Sequence, residues 1–296
     1  MYKSREDKIF DTITYMVMII VIIITLYPFL HVLAVALNDA SDSLAGGITI
    51  FPRKLSLESF KNVLAYENLF YSFIISVLRT VTGTVLSLTV VTSAAFALTK
   101  KSLPGYKFIY IFFIISLFMP SLVIPNFLLY QKLGIYNTFL VYILPGTFSA
   151  FNMILLRTYI LQLPPDMEES AYLDGASELA VFFKIVLPLA KPILATVGLF
   201  VAVTQWNEWS DTLYYITNPK LETLQFVLMR VLKQAEAASM AAGAKSFMQN
   251  QMNALTVTPN SIKMAITVIA TVPIICVYPF LQRYFVKGMM IGAVKG

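Results

Sequence analysis

Apolar residues in this chain fall in long blocks separated by short polar islands. Crossing a bilayer takes about 20 mostly apolar helical residues, and six windows meet that length: roughly 12–37, 70–98, 107–130, 137–160, 183–206 and 263–283. Arg79 interrupts the second window, Arg157 lies near the end of the fourth, and Lys184 and Lys191 lie near the start of the fifth. The first is longer than the roughly 7–15 apolar residues of a secretory signal, so it reads as a retained helix. The pattern predicts an all-α polytopic membrane protein with six transmembrane helices and both termini on one side. Prolines recur within or close beside the windows, at Pro28, Pro120, Pro125, Pro145, Pro188, Pro192, Pro273 and Pro279. Each removes a backbone hydrogen bond and kinks a helix. Small residues at Thr80, Thr82, Gly83, Thr84 and 92–97 let helices approach closely. Ordinary bundle packing accounts for any one of these; together they suit helices bent around a cavity.

Two segments between windows are substantial. In residues 39–69, Gly46-Gly47 precedes Phe51-Pro52-Arg53-Lys54, and Ser56 can cap a short helix over 57–64. In residues 207–262 the pattern predicts a helix over 224–244 and a polar loop over 249–260. A connection that long is functional or disordered, and its amphipathic portion suits docking.

Composition narrows the class. The chain is 58% hydrophobic and 13% charged, against about 25% charged for soluble domains, so charge is confined to islands. The net charge of +6 fits membrane topology and anionic lipid, and no aromatic-basic pattern suggests nucleic acid. Cys276 is the sole cysteine; it excludes an intrachain disulfide or a cysteine metal site and reads as a small buried hydrophobe. Lys100, Lys101 and Lys107 populate one short loop, while Lys132 stands alone in the opposite one. With Lys3, Arg5 and Lys8, and with Arg283, Lys287 and Lys295, this places both termini in the cytoplasm.

The most distinctive island is 164–192. Pro164-Pro165-Asp166 starts a helix, since proline at the first position loses no hydrogen bond. Asp166, Glu168 and Glu169 suit the positive end of its dipole. Tyr172, Ala176, Leu179 and Phe183 follow at helical spacing. Gly175, about 1 kcal/mol worse than alanine inside a helix, predicts a bend or close backbone approach within a helix over about 166–180. On the residues alone, a helix docking into a partner's groove and a partnerless interfacial helix fit equally.

Glu169, Ala171, Gly175, Ile185, Leu187 and Pro188 resemble the "EAA" signature of type I ABC importer permeases. Ser170 stands for the middle alanine, and Asp174 and Ala176 extend the match. Phe51-Pro52 onward to Leu64, Trp206-Asn207-Glu208-Trp209, and the tail from Tyr284 to Gly296 are similar to carbohydrate-uptake permeases, most of all those for polysaccharide-derived oligosaccharides. The resemblance implies a type I ABC importer (MetI-like) fold in a prokaryotic cell membrane. Its layout would be a tail, first helix and extracytoplasmic segment over 1–68, a transmembrane domain over 69–283 and a cytoplasmic tail over 284–296. The coupling helix, about 166–180, would meet the ATPase through Glu169, Ser170, Ala171, Asp174, Gly175, Ala176, Leu187 and Pro188. Implied partners are a second, related permease, two ATPase subunits and an extracytoplasmic solute-binding protein touching the 207–262 loop. ATP and magnesium would reside in the ATPases; no cofactor, metal or catalytic residue is expected here. Gly243-Ala244-Lys245-Ser246 is not a phosphate-binding loop, because its glycine is not adjacent to lysine.

Polar residues within a membrane usually face a bundle interior or aqueous path. Asn126, Asn152, Thr204, Gln205, Trp206 and Asn207 are the candidates for sugar contact, interhelical hydrogen bonding being the alternative for each. Arg79 and Arg157 are expected to snorkel to opposite interfaces, His31 to pack, and Glu208 and Asp211 to be solvated at the outer edge or to face the binding protein. An ion-coupled carrier would place carboxylates or histidine well inside the membrane, or show inverted halves with broken helices. A membrane enzyme would need clustered His, Asp or Glu. Neither pattern is present.

Overall fold

The computed structural model describes residues 5–119, 122–246 and 258–293, with side-chain surroundings defined for 7–119, 122–237, 240 and 258–279. Among the described residues every regular element is helical, apart from one isolated antiparallel bridge between Asn38 and Leu55. Two compact units form: Met1–Leu69 with Leu228–Pro273, and Phe70–Val227 with Ile274–Gly296.

In the first unit, α1 (Arg5–Ala36) is 32 residues long, about 48 Å of helix. Side chains along most of it are exposed. Only its C-terminal end is covered, where Ala34 and Val35 pack with Ile48 and Met264. His31 packs as expected, stacked on Tyr27 with Nδ1 3.0 Å from the Thr49 carbonyl oxygen. Asp39 then caps α2 (Ala40–Leu44), accepting from Ser41 N and Asp42 N. The buried Asn38 ties the following loop together. Its Nδ2 donates to Asp42 Oδ2 and Ser43 Oγ at 3.0 Å, and its Oδ1 accepts from Arg53 N and Lys54 N at 2.8 Å. Arg53 pairs with Asp42 at 2.9 Å. Hydrogen bonds from Ser41 to Asp39, and from Asn38 to Asp42, hold both carboxyls below the usual carboxylate range. Ser56 Oγ accepts from Glu58 N at 3.2 Å at the start of α3 (Glu58–Leu64), one residue later than its pattern predicts.

The second unit is built on α4 (Leu69–Ala97). Its outer face is lipid-like, but Ser72, Ser76, Arg79 and Ser87, at successive spacings of four, three and eight residues, are all at most 2% exposed, as is Thr92. This buried polar stripe faces inward. The third and fourth apolar windows are not continuous helices. The third divides into α5 (Tyr106–Ser116) and α6 (Val123–Lys132), with Pro120 outside the described residues. The fourth divides into α7 (Leu140–Ile143) and α8 (Ala150–Ile160). Pro145 has no N–H to continue α7, and Ser149 restarts the helix by accepting from Asn152 N at 3.3 Å.

Next come α9 (Pro165–Leu173) and α10 (Glu178–Val181), a π-helical turn Phe182–Val186, and α11 (Leu187–Leu189). The chain bends by 79° into α12 (Lys191–Asn207). A lost hydrogen bond at Pro188 and Pro192 near the new start account for the widened turn and the corner. A core of Val91, Phe96, Met153, Leu156, Val186 and Val201 joins α4, α8, this segment and α12.

The remaining helices are α13 (Ser210–Tyr215), α14 (Leu224–Ser246) and α15 (Pro259–Ala293). The predicted helix over 224–244 is therefore present; of the polar loop expected over 249–260, residues 249–257 lie outside the described residues, and Pro259 and Asn260 already belong to α15. Thr258 and Ser261 cap α15 reciprocally, each side-chain oxygen accepting from the other's backbone N–H at 3.1 and 3.0 Å. Cys276 is exposed on α15, contrary to its reading as a buried hydrophobe. By length and composition three described helices can cross a membrane, or four if the bent pair counts as one.

The Asn38 network predicts a local stability change. Asn38→Leu strands the Arg53 and Lys54 amides and should loosen residues 39–56 by about 1–3 kcal/mol, read as faster hydrogen exchange there. The lowered carboxyls of Asp39 and Asp42 contribute stability above the ordinary carboxylate range and lose it as pH falls through their depressed values. Protection of this loop should match at pH 7 and 5 and drop only below about pH 4.

Candidate functional site

Two regions of the second unit concentrate polar chemistry. The first is the segment resembling the signature loop. Gly175 does not bend a continuous helix. It ends α9: its φ of 81° lies in the left-handed region, Gly175 N donates to the Tyr172 carbonyl and Ala176 N to the Ala171 carbonyl, at 3.0 and 2.9 Å. This is a Schellman stop, and the space around a Cβ at Gly175 is open, so close backbone approach does not explain it. Ser177 then caps α10 through Ala180 N at 3.3 Å. The predicted single helix over 166–180 is thus two short helices around a glycine corner.

The motif residues divide by face. Ala171, Tyr172, Ala176 and Leu187 pack on the core of the unit. Glu169, Ser170, Asp174, Gly175 and Pro188 are exposed. Beside them stand apolar side chains open to solvent, Leu173 at 89% and Leu179 at 69%, so the expected apolar stripe is only half used internally.

Lys100, just beyond α4, braces this segment from behind. Its ammonium pairs with Glu168, donates to Tyr172 Oη at 3.1 Å and lies 4.8 Å from the Phe96 ring centroid. Tyr172 Oη donates onward to Glu178 at 2.7 Å. Burial alone would lower the Lys100 pKa, but the bonds to Glu168 and Tyr172 outweigh it and raise it. Nearby, Arg157 is held by the end of α4. Its Nε donates to the Leu98 carbonyl at 2.7 Å and Nη2 to Tyr106 Oη at 2.6 Å, placing a cation against the negative end of α4. Lys100 counts in the sequence only toward topology; the acidic first turn of α9 was the available sign of its partner.

The second region surrounds Arg79, which is 2% exposed rather than snorkelling. Its Nε donates to Gln205 Oε1 at 2.8 Å, Nη1 to the Glu208 carbonyl at 3.0 Å, and Nη2 to Asp211 at 2.5 Å. The guanidinium lies 4.6 Å from the Tyr142 ring centroid. Asp211, its side chain 31% exposed, is thus the counter-ion of Arg79 at the wall of a cavity rather than a freely solvated edge group, and Glu208 turns back to accept from Ser210 N at 2.8 Å. Tyr142 Oη donates to the Leu221 carbonyl at 2.8 Å and accepts from Thr212 at 2.9 Å. Ser76 accepts from Leu224 N at 2.8 Å.

Two cavities adjoin this network, of about 400 and 600 Å³. Asn126 lines the smaller, Asn152 the larger, and Thr204 and Gln205 both. Trp206 lines neither; it is buried edge-on against Phe73, ring centroids 6.1 Å apart. Asn207 is exposed and also lines neither. Among the described residues no group of three or more His, Cys, Asp or Glu is placed to hold a metal.

The fold matches, with a TM-score of 0.78, a chain in the crystal structure of a bacterial ABC transporter involved in import of the acidic polysaccharide alginate. The two are 27% identical, over 96% of this chain and 99% of that one. This defines the class, an ABC-transporter membrane permease. The chain belongs to the binding-protein-dependent transport system inner membrane component family, which matches residues 89–291. Among its relatives are the polygalacturonan/rhamnogalacturonan transport system permease protein YtcP of Bacillus subtilis (31% identical, 98% of this chain, 100% of the relative) and protein LplC of the same organism (36%, 100% and 98%). The permease class replaces the ion-coupled carrier weighed on the sequence.

The Arg79 network has a measurable consequence. Arg79→Met should lower stability by about 3–5 kcal/mol, because it leaves Asp211 without its counter-ion. Combining it with Asp211→Asn should cost less than the sum of the single changes, as read by thermal unfolding of the purified complex.

Proposed function

We propose that this chain forms, with a second related permease, the membrane pathway of an ATP-driven importer for polysaccharide-derived oligosaccharides. The substrate class rests on the relatives, whose names specify polygalacturonan and rhamnogalacturonan transport or alginate import. In this reading the chain crosses the membrane six times, the broken and bent helix pairs each serving as one crossing, with both termini cytoplasmic. Two ATPase subunits carry ATP and magnesium, and an extracytoplasmic binding protein delivers sugar near 207–262.

The observation that carries the reading is the two-faced segment α9–α11. Ala171 and Ala176 are packed on the core, while Glu169 and the apolar Leu173 and Leu179 face outward beside the glycine corner. Such a surface gives a partner both a charge and an apolar patch to grip. Lys100 and Arg157 would transmit the push, because they tie the segment's back face and α8 to the end of α4. Motion of α4 and α12 would then reshape the two cavities, where Asn126, Asn152, Thr204 and Gln205 offer amides and hydroxyls to sugar. Trp206 and Asn207 would act at the rim.

The test is uptake by the reconstituted complex. Sugar accumulation should require ATP, the ATPases and the binding protein; accumulation driven by a proton gradient without the ATPases would refute the reading. Glu169→Arg changes an exposed side chain and should leave assembly of the permease pair intact. It should cut ATPase co-purification or coupled uptake by about tenfold, equivalent to about 1.4 kcal/mol. Gly175→Val forces a β-branched residue to positive φ and should lower coupling further.

A further inference from the structure

The two cavities meet at Gly146, Thr204 and Gln205, which line both. Of these only Gln205 has a side chain long enough to reach across. It is 6% exposed and leaves α12 toward α4 and the 144–149 break. A Cβ built on Gly83 would lie 2.9 Å from Gln205 Nε2, and one on Gly146 would lie 3.0 Å from the same atom. The amide therefore occupies a slot that exists because residues 83 and 146 have no side chains. Arg79, one turn before Gly83 on α4, donates to Gln205 Oε1 at 2.8 Å. Its other bonds, to the Glu208 carbonyl and Asp211, fix the guanidinium, so the amide is held by an anchored donor.

We propose that Gln205 is the partition between the two cavities, and that Arg79 is the positioning residue that latches it into the Gly83–Gly146 slot. The proposal rests on the permease reading, which makes the cavities successive compartments of one path. With the latch made, the amide blocks the boundary. With it broken, the side chain swings from the slot, the compartments join, and the amide turns one acceptor and two donors toward a hydroxyl-rich solute. Arg79 thus acts on the path through Gln205; its charge is already matched by Asp211.

The experiment uses the whole transporter in right-side-out vesicles, in a Cys276→Ser background with Leu199→Cys as a reporter in the larger cavity. The readout is the labelling rate by a membrane-impermeant maleimide added outside, without ATP. Gln205→Ala should raise labelling about tenfold or more, the population change expected from losing a hydrogen bond to a charged donor. Gln205→Asn, one methylene too short to fill the slot, should raise it as well and decides the matter if the alanine variant fails to assemble. Gly83→Ala should expel the amide and act in the same direction, while Gln205→Glu, which still accepts from Arg79, should keep labelling low. Unchanged labelling in Gln205→Asn and Gly83→Ala overturns the partition. ATP-dependent uptake by the unsubstituted complex is measured alongside; its absence would refute the importer reading, whereas normal uptake with flat labelling would refute only the partition.

Discussion

A guanidinium withdrawn from water inside an apolar helix bundle must be matched almost completely. Removing such an ion from water costs several kcal/mol even after relaxation. Arg79 meets this demand with the Gln205 amide, the Glu208 carbonyl, the Asp211 carboxylate and the Tyr142 ring. These partners come from the end of α12, the start of α13 and the short α7, so satisfying one side chain fixes three segments against α4. Tyr142 extends the order to Thr212 and Leu221, and Ser76 does so through Leu224 N. The helix breaks near 144 and 208 belong to the same arrangement. A continuous helix would bond the Glu208 carbonyl internally; the break frees it to receive Arg79.

The opposite end of α4 obeys a related constraint with a different outcome. Its C-terminal carbonyls need partners, and Arg157 supplies one at Leu98 while Lys100 turns to α9. The sequence motif then makes physical sense residue by residue. Alanine at 171 and 176 lets the corner sit on the core, glycine at 175 permits the left-handed stop, and proline at 188 frees a widened turn before the 79° bend. Glu169 has no such internal task, which leaves it available for a partner.

The sequence makes legible what depends on composition alone. The windows at 12–37, 70–98 and 263–283 are continuous helices because nothing but apolar length was needed to specify them. Pro120, Pro125 and Pro145 signalled bends within 107–130 and 137–160, but not that each window divides into two helices, since hydropathy averages over a window and does not record which carbonyl loses its donor. Arg79 shows the limit most clearly. A lone cation in an apolar run reads as an interfacial residue when its counter-ion is 132 residues away; the buried stripe of Ser72, Ser76 and Ser87 on the same face was the available signal. Gly175 erred in the same local way, because helical spacing continues across a stop when another helix begins at Glu178. Asn126, Asn152, Thr204 and Gln205 could be chosen by residue type, but their distribution around two cavities required the fold.

The contrast between α1 and α4 bears on how such a chain works. Within the first unit α1 packs only at its C-terminal end, through Ala34 and Val35 against Ile48 and Met264, so most of its apolar length contributes little to that unit's core. A helix held that way can shift without breaking core contacts. α4 cannot, because Arg79 and Ser76 on its buried face are committed to specific acceptors and donors whose loss is expensive. A force applied at Lys100 therefore has a stiff element to follow, leading toward Arg79 and Gln205. On the proposed reading, the polar matching around Arg79 would let α4 carry a change from its Lys100 end toward Gln205.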